Sequence, residues 1–256
     1  MIEIGSNLFK RALVEKRPQI GFWSTFGSSI VADFLADCGF DWILLDCEHS
    51  PTNVREILPQ LMAIDRNSIT TPVVRPPWND LVIFKKLLDI GARSLLIPMV
   101  STPEEASSAV SATRYPTKGV RGWAGGIRAN RYGRISGYHT KASEDICVLV
   151  QVETRQGLGN IERIAAIDGV DGVFIGHADL GAALGHLPNR NHPEVIETIK
   201  HARAQIESIG KASGILTADA DQAQMWLDEG FTFVACGIDS NLLARESDAL
   251  AKRFKG

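Results

Sequence analysis

The sequence predicts an α/β protein, an eightfold β/α (TIM) barrel, and two observations lead to this fold class. One phrase recurs along the chain: an acidic or small residue, a glycine one or two positions later, then a short apolar run, as in Asp37 to Leu45 and Asp89 to Ile97. Glycine just past a helix end closes the helix in the left-handed conformation. The run that follows is too short for a helix and suits a buried strand.

The second observation is the number of such runs. Eight strands alternating with helices predict parallel strands joined by crossovers, and eight in about 250 residues is the usual size of the barrel. A doubly wound open sheet is the alternative. The predicted strands are 19–23, 42–46, 72–75, 94–98, 146–152, 171–175, 212–216 and 232–236. The predicted helices are 28–38, 53–65, 79–90, 102–113, 193–209, 218–229 and 239–254. No linker or low-complexity tract divides the sequence, so residues 1–256 are expected to form a single domain.

Composition narrows the class of protein. The chain is 45% hydrophobic and 22% charged with a net charge of -3, which argues against nucleic acid as a partner. No apolar run approaches the roughly 20 residues that span a bilayer, so no membrane segment is expected. The N-terminus lacks the pattern of a signal peptide, and the four cysteines form no Cys-x-x-Cys pair. We therefore expect reduced thiols and a cytoplasmic protein.

Ionisable residues gather where the predicted strands end. Asp46, Glu48 and His49 directly follow a buried apolar run, and Arg75 ends the next strand. Buried ionisable groups are costly without partners, and the carboxyl ends of barrel strands are where active sites form. The sequence therefore predicts an active site on this rim.

Two carboxylates favour a metal on the same rim. Glu153 follows the fifth strand and Asp179 the sixth, so their side chains can meet. Such oxygen ligands suit a hard divalent cation, magnesium or manganese. The alternative is an Asp179 that only caps a helix and a Glu153 that is only exposed.

The other rim residues suggest an enolate mechanism. Arg75 is a fixed cation that can stabilise an oxyanion or enolate, unless it only forms a structural ion pair. His49 can act as a general base, because imidazole exchanges protons near neutral pH. The backbone from Gly176 to Ala178 enters a helix, whose free N–H groups can hold a carboxylate. No lysine ends a strand, so a Schiff-base mechanism is not expected.

The longest irregular segment, 119–134, is rich in glycine and arginine. Long loops in compact domains are usually functional. Its arginines could receive an anionic substrate tail or form a subunit contact, and the sequence does not decide between the two.

Specific motifs resemble the HpcH/HpaI aldolase family, the class II pyruvate aldolases of the phosphoenolpyruvate/pyruvate barrel superfamily. The resemblance covers nearly the whole chain. The segments that carry it are 17–23, 46–49, 72–75, 86–89, 113–116, 150–154, 171–176 and 233–237.

This resemblance implies a role for each rim residue. Glu153 and Asp179 would hold magnesium, or alternatively manganese or cobalt. Arg75 would stabilise the enolate, and His49 would act as base through a water. Asp89 of a neighbouring subunit would raise the basicity of that histidine. Asp46 would line the rim. The predicted substrate-binding residues are Gln151, Ala178, Asp179, Gly176, His177, Trp23 and Leu216.

The resemblance also implies a reaction and an assembly. We expect cleavage of a 2-keto-4-hydroxy acid to pyruvate and an aldehyde, with a 2-dehydro-3-deoxyglucarate-type sugar acid as the substrate. The alternatives are 4-hydroxy-2-oxoheptanedioate, which would yield succinate semialdehyde, and decarboxylation of oxaloacetate. Such aldolases serve carbohydrate-acid or aromatic catabolism. The family forms hexamers, dimers of trimers, with the last helix packed on a neighbouring subunit. His177 departs from the proline usual in the family, and we expect its side chain to point to solvent.

Overall fold

The computed structural model describes residues 6–66 and 69–255 and shows a closed barrel of eight parallel strands. Each strand pairs with the next in the chain, and the last pairs with the first, so the open-sheet alternative is excluded. The strands are β1 (Gln19–Ser24), β2 (Trp42–Asp46), β3 (Thr71–Arg75), β4 (Ser94–Ile97), β5 (Cys147–Val152), β6 (Gly172–Ile175), β7 (Ala212–Leu216) and β8 (Phe233–Ile238).

The helices include all seven that the sequence predicts and several that it does not. They are α1 (Leu8–Val14), α2 (Ser29–Ala36), α3 (Val54–Ile64), α4 (Leu81–Asp89), α5 (Pro103–Thr113), α6 (Tyr138–Asp145), α7 (Arg155–Gly159), α8 (Ile161–Ala165), α9 (His177–Ala183), α10 (Pro193–Ser208), α11 (Ala220–Asp228) and α12 (Asp239–Lys255). The unpredicted helices have only five to eight residues, too few for an apolar period to stand out.

The helix-to-strand junctions follow the recurring phrase of the sequence. Its glycines all adopt positive φ, between 81° and 104°, which closes the preceding helix. They are Gly39, Gly91, Gly169, Gly210 and Gly230.

Side-chain caps fix where helices begin on the opposite, carboxyl-terminal face. Asn53 with Glu56, and Thr102 with Glu105, form reciprocal capping boxes at the starts of α3 and α5. These bonds satisfy N–H groups that a helix start leaves unpaired. The loops that carry rim residues therefore end at defined points.

Aromatic rings fill the barrel interior. Trp42 and Phe233 pack edge to face at 6.0 Å. Phe174 packs against both Phe233 and Trp23. Gly21 and Gly214 make room for this packing, because a Cβ there would lie 2.1 Å from the Trp42 or Phe233 ring. The packed interior ends at Trp23, directly beneath the rim.

The last helix differs from the others because it is not packed into the barrel. Every residue from Asn241 to Lys255 is exposed, although Leu243, Leu250 and Phe254 are apolar. Over residues 6–66 and 69–255, no helix combines the length and the apolar character needed to cross a membrane.

Candidate active site

The centre of the rim is an ion pair between Asp46 and Arg75. The two residues face each other in the register of β2 and β3. Arg75 donates from Nε to Oδ1 of Asp46 at 2.8 Å and from Nη2 to Oδ2 at 2.7 Å. Both side chains are almost completely buried. Two parallel bonds fix the plane of the guanidinium as well as its position.

Two further residues hold the same guanidinium. Nη1 of Arg75 lies 2.8 Å from Oε2 of Glu48, and the guanidinium carbon lies 4.7 Å above the Trp23 ring centre. Trp23 also donates from Nε1 to Asp46 at 3.3 Å. The structure thus gives Glu48, to which the sequence assigned no role, a definite partner. It shows Trp23 supporting Arg75 from below.

The two acids beside Arg75 have opposite pKa shifts. Burial alone would raise the pKa of Asp46, but the hydrogen bonds and charge of Arg75 hold it below its usual range. Burial raises the pKa of Glu48 more than Arg75 lowers it, and the negative charge of Glu153 adds to the increase. Arg75 therefore stabilises the carboxylate of Asp46 more than that of Glu48.

Glu153 and Gln151 form the second part of the site, at the end of β5. Gln151 donates from Nε2 to Oε2 of Glu153 at 2.6 Å, and the backbone N–H of Met99 donates to Oε1 at 2.8 Å. Both side chains are 2% exposed. Among the described residues, the buried Oε1 of Gln151 has no hydrogen-bond partner. Since such atoms are rarely left unpaired, it is available to a ligand.

Gly176 allows this pair to form. A Cβ at Gly176 would lie 2.5 Å from Oε2 of Glu153, 2.7 Å from its Cβ and 3.3 Å from Nε2 of Gln151. Any larger residue would displace the carboxylate. The glycine at the end of β6 therefore has a steric reason to be there, beyond any contact of its own with substrate.

The electrostatics of Glu153 fit a bound cation. Burial raises the pKa of this carboxyl, and the hydrogen bonds from Gln151 and Met99 oppose the shift. The negative charge of Asp179, exposed in the first turn of α9, raises it further. A divalent cation between Glu153 and Asp179 would offset the energetic cost of burying the Glu153 carboxylate and the repulsion between the two carboxylates. The residues present therefore fit a hard metal ion.

Three more predicted residues lie around this centre. His49 is exposed in the loop that follows β2, next to Glu48 in the chain. Ala178 is exposed at the start of α9, and Leu216 is half-buried at the end of β7. Their catalytic or binding roles remain predictions.

Asp89 lies away from this rim. It ends α4, which runs back to the amino-terminal face of the barrel, and forms a 2.8 Å salt bridge with the fully buried Arg121. A single protomer therefore does not bring Asp89 to His49. Its expected role depends on a neighbouring subunit.

The expectation that the His177 side chain points to solvent is wrong. It is 5% exposed, its Nε2 lies 2.7 Å from the carbonyl oxygen of Arg190, and its ring packs edge to face against Trp226. Burial lowers the pKa of His177, which favours the neutral imidazole. Because α9 turns the ring outward, toward the helical layer, only the backbone of this residue lies along the rim.

The arginines of segment 119–134 serve the amino-terminal face. Arg121 pairs with Asp89 and stacks over the Tyr115 ring at 4.4 Å. Arg128 donates to the carbonyl of Ile90 and to Asp65. The segment connects α5 to α6 on the face opposite the rim, so it does not receive a substrate tail in its own barrel. A subunit contact is the alternative that remains.

Asp239 is a rim residue that the sequence analysis missed. This buried carboxylate, at the start of α12, accepts hydrogen bonds from the Ser24 hydroxyl, the Thr25 backbone and hydroxyl, and the Phe26 backbone. It thus holds the loop after β1 to the end of β8. The only sequence signal was an acid directly after an apolar run, as at Asp46.

The chain belongs to the HpcH/HpaI aldolase/citrate lyase family, whose model matches residues 19–245. The match extends from β1 into α12, so it includes the entire rim. The chain is accordingly an aldolase, a carbon–carbon lyase, on a β/α barrel.

Individual relatives indicate which type of aldolase the chain is most similar to. The chain is 51% identical to the 4-hydroxy-2-oxo-heptane-1,7-dioate aldolase of Shigella sonnei over 249 residues, 97% of this chain and 95% of that protein. It is 52% identical to the Klebsiella pneumoniae enzyme of the same name over 250 residues, 97% of this chain and 94% of that protein. These relationships indicate a class II pyruvate aldolase.

Solved structures agree with the fold. An HpcH/HpaI aldolase/citrate lyase family protein from Burkholderia cenocepacia superimposes with a TM-score of 0.94 at 36% identity, covering 98% of this chain and all of the other. An HpcH/HpaI aldolase from Desulfitobacterium hafniense gives 0.89 at 26% identity, covering 98% and 97%.

Proposed function

We propose that this chain is a divalent-metal-dependent aldolase that cleaves 4-hydroxy-2-oxo-heptane-1,7-dioate to pyruvate and succinate semialdehyde. Identity above 50% to enzymes named for that substrate supports this choice over the 2-dehydro-3-deoxyglucarate type that the sequence motifs favoured. The reason for the difference is chemical. The recognisable motifs at the rim would contact the pyruvate half, which all these substrates share, whereas the aldehyde half distinguishes them.

One observation supports the metal most directly: the buried Oε1 of Gln151, which has no partner among the described residues, lies beside a buried Glu153 carboxyl whose pKa is raised by burial and by the charge of Asp179. We propose that Glu153 and Asp179 hold the ion, magnesium or alternatively manganese or cobalt. When bound, such an ion would polarise the keto group of the substrate and stabilise the developing enolate.

The protein side chains would supply orientation and proton transfer. Arg75 is held by Asp46, Glu48 and Trp23, and its remaining N–H groups can stabilise the negative charge that grows on the enolate oxygen. His49 would accept the proton of the 4-hydroxyl group, through a water, as the bond between C3 and C4 breaks.

Substrate orientation would come from the start of α9. The backbone N–H groups of Ala178 and Asp179 lie in its first turn, where no intrahelical carbonyl accepts from them. They would bind the carboxylate of the pyruvate unit. Gln151 would contact the same unit, while Gly176, Leu216 and Trp23 would shape the surrounding wall.

We also propose that the active form is a hexamer built as a dimer of trimers. In a monomer the apolar side chains of α12 would stay in water, and Asp89 would stay far from any His49. Packing of α12 on a neighbouring subunit would bury its apolar side chains. A subunit contact at the amino-terminal face would bring Asp89 close to His49 of another subunit.

Substrate assays can test the proposed reaction. Pyruvate release should be fastest with 4-hydroxy-2-oxo-heptane-1,7-dioate, slower with 2-dehydro-3-deoxyglucarate and slowest with oxaloacetate. Chelation should abolish the activity, and magnesium, manganese or cobalt should restore it. Borohydride with pyruvate should leave no adduct. A lysine adduct, or full activity after exhaustive chelation, would refute the metal-enolate mechanism.

A further inference from the structure

A second group of metal-ligating side chains lies outside the rim, between α9 and α10. His186 is in the connecting segment, His192 caps α10, and Glu194 is in its first turn. One ligand atom from each lies within 4.8 Å of the others. The proposed aldolase mechanism uses none of them. We call these three residues the His-His-Glu cluster.

The contacts inside the cluster are already close. Nε2 of His186 lies 2.7 Å from Oε2 of Glu194, and the rings of His186 and His192 stack at 3.7 Å with an angle of 10°. Nδ1 of His192 accepts a long, 3.3 Å hydrogen bond from the Glu194 backbone. That nitrogen is therefore unprotonated and carries a lone pair, which the weak hydrogen bond from the Glu194 backbone occupies.

The backbone around the cluster is held independently of these side chains. The N–H groups of Gly185 and His186 donate to carbonyls of α9, and that of His192 donates to Asn189, at 2.9 to 3.1 Å. The His177 imidazole also ties the segment to α9 through Arg190. The ligand atoms can therefore adjust without rebuilding the loop.

We propose that the His-His-Glu cluster binds one divalent transition-metal ion of the zinc, cobalt or nickel type. Two imidazoles and one carboxylate, with water in a fourth position, are a common ligand set for such ions. Magnesium prefers oxygen ligands alone and would compete poorly here. The cluster thus differs in preference from Glu153 and Asp179, which offer only oxygens.

The required rearrangement is confined to the side chains. The lone pair of an imidazole lies in the plane of its ring, so the stacked His186 and His192 rings must turn out of their parallel arrangement for both to reach one ion. With metal–ligand bonds of about 2.0–2.1 Å, neighbouring tetrahedral ligands lie ~3.3 Å apart, so the ion would replace the proton between His186 and Glu194 and separate them by roughly 0.6 Å. His192 would contribute the lone pair of Nδ1, or that of Nε2 after a half-turn of its partly exposed ring. The bound ion would brace the segment that follows α9 and stabilise the fold.

The test uses the full-length protein in excess magnesium, which occupies the oxygen site. Cobalt titration, followed by visible absorption and calorimetry, should show uptake of one equivalent, and zinc should displace it. Zinc should also raise the melting temperature. His186→Gln, Glu194→Gln and His192→Asn should weaken cobalt binding by about tenfold or more. Asparagine keeps the helix cap, so His192→Asn separates capping from metal binding.

Two controls make the result decisive. His201→Gln removes an exposed histidine on α10 outside the cluster and should leave cobalt binding unchanged. The double variant Glu153→Gln/Asp179→Asn removes the rim ligands and should keep the cobalt equivalent. If that variant loses it, or if the three cluster variants bind cobalt like the wild type, the proposal is wrong. Absence of cobalt uptake by the wild type would equally reduce the cluster to a hydrogen-bonded His–Glu pair.

Discussion

Gly176 determines how closely β6 approaches the polar side chains of β5. Because a Cβ there would collide with Glu153, we expect Gly176→Ala to displace the carboxylate and weaken magnesium binding about 10–100-fold, with a parallel loss of turnover. Calorimetry with magnesium measures the first effect. Gly159→Ala is the matched control, since its Cβ would meet nothing within 4 Å. Normal magnesium affinity in Gly176→Ala would show that the site tolerates the shift.

Arg75 acts through the shape of its side chain as well as its charge. Lysine cannot bond both oxygens of Asp46 and also reach Glu48, so Arg75→Lys should lose an oriented donor. We expect the barrier of the chemical step to rise by about 2.7–4 kcal/mol. Steady-state kinetics with saturating magnesium measures it, with the exposed Arg55→Lys as control. Turnover near the wild-type rate would make Arg75 purely structural.

Glu153 links pH, metal binding and stability. Its pKa is raised, so magnesium affinity should decline on acidification at a higher pH than for an ordinary glutamate. A raised folded-state pKa also means that the metal-free fold loses stability as pH rises through it. Glu153→Gln should therefore melt higher than the metal-free wild type at neutral pH, and the difference should vanish at acidic pH. A lower melting temperature for Glu153→Gln at neutral pH would contradict this.

At the scale of the element, the His177 side chain connects the start of α9 to the Arg190 carbonyl and the Trp226 ring. Proline suits a first helical turn, so His177→Pro should keep the backbone path. It nevertheless leaves the Arg190 carbonyl without its imidazole partner and empties the space against Trp226. We expect a loss of roughly 1–3 kcal/mol in unfolding free energy and weaker pyruvate binding. Denaturant unfolding and pyruvate titration measure these.

A second variant separates the role of the hydrogen bond from that of the backbone. His177→Gln keeps a donor for the Arg190 carbonyl and should recover part of the lost stability. If His177→Pro is as stable as the wild type and binds pyruvate equally well, the contacts of the His177 side chain contribute nothing to the unfolding free energy or to pyruvate binding.

At the scale of the whole molecule, the exposed helix α12 indicates assembly. Leu243, Leu250 and Phe254 recur at helical spacing along one side, where a monomer leaves them in water. We expect Leu243→Glu/Leu250→Glu to break the hexamer into smaller species and to reduce activity. Sedimentation velocity measures the assembly. Asp248→Lys, on the charged side of the same helix, should leave it intact. A wild type that sediments as a monomer would refute the proposed hexamer.

The barrel could be predicted from the sequence because its signals are local. A glycine that ends a helix and a short apolar run that follows it are read within about nine residues, and their repetition implies parallel strands. The predicted position of the site follows from the same logic, since Asp46 and Arg75 end strands, and Glu153 and Asp179 follow strands. The sequence by itself therefore determined the fold and the rim, and it placed there the two acids that we propose to hold a metal.

Only the tertiary structure decided which of these groups touch. Asp239 meets Ser24 across 215 residues of chain, and no local pattern encodes that contact. Gly176 excludes a side chain because β6 lies against Glu153, and the His177 ring is buried in the helical layer because Trp226 and Arg190 contact it there. The cluster of His186, His192 and Glu194 likewise depends on how the turn after α9 folds. Residue type and order specify the elements, whereas contact, burial and pKa depend on distances that exist only once the barrel has closed.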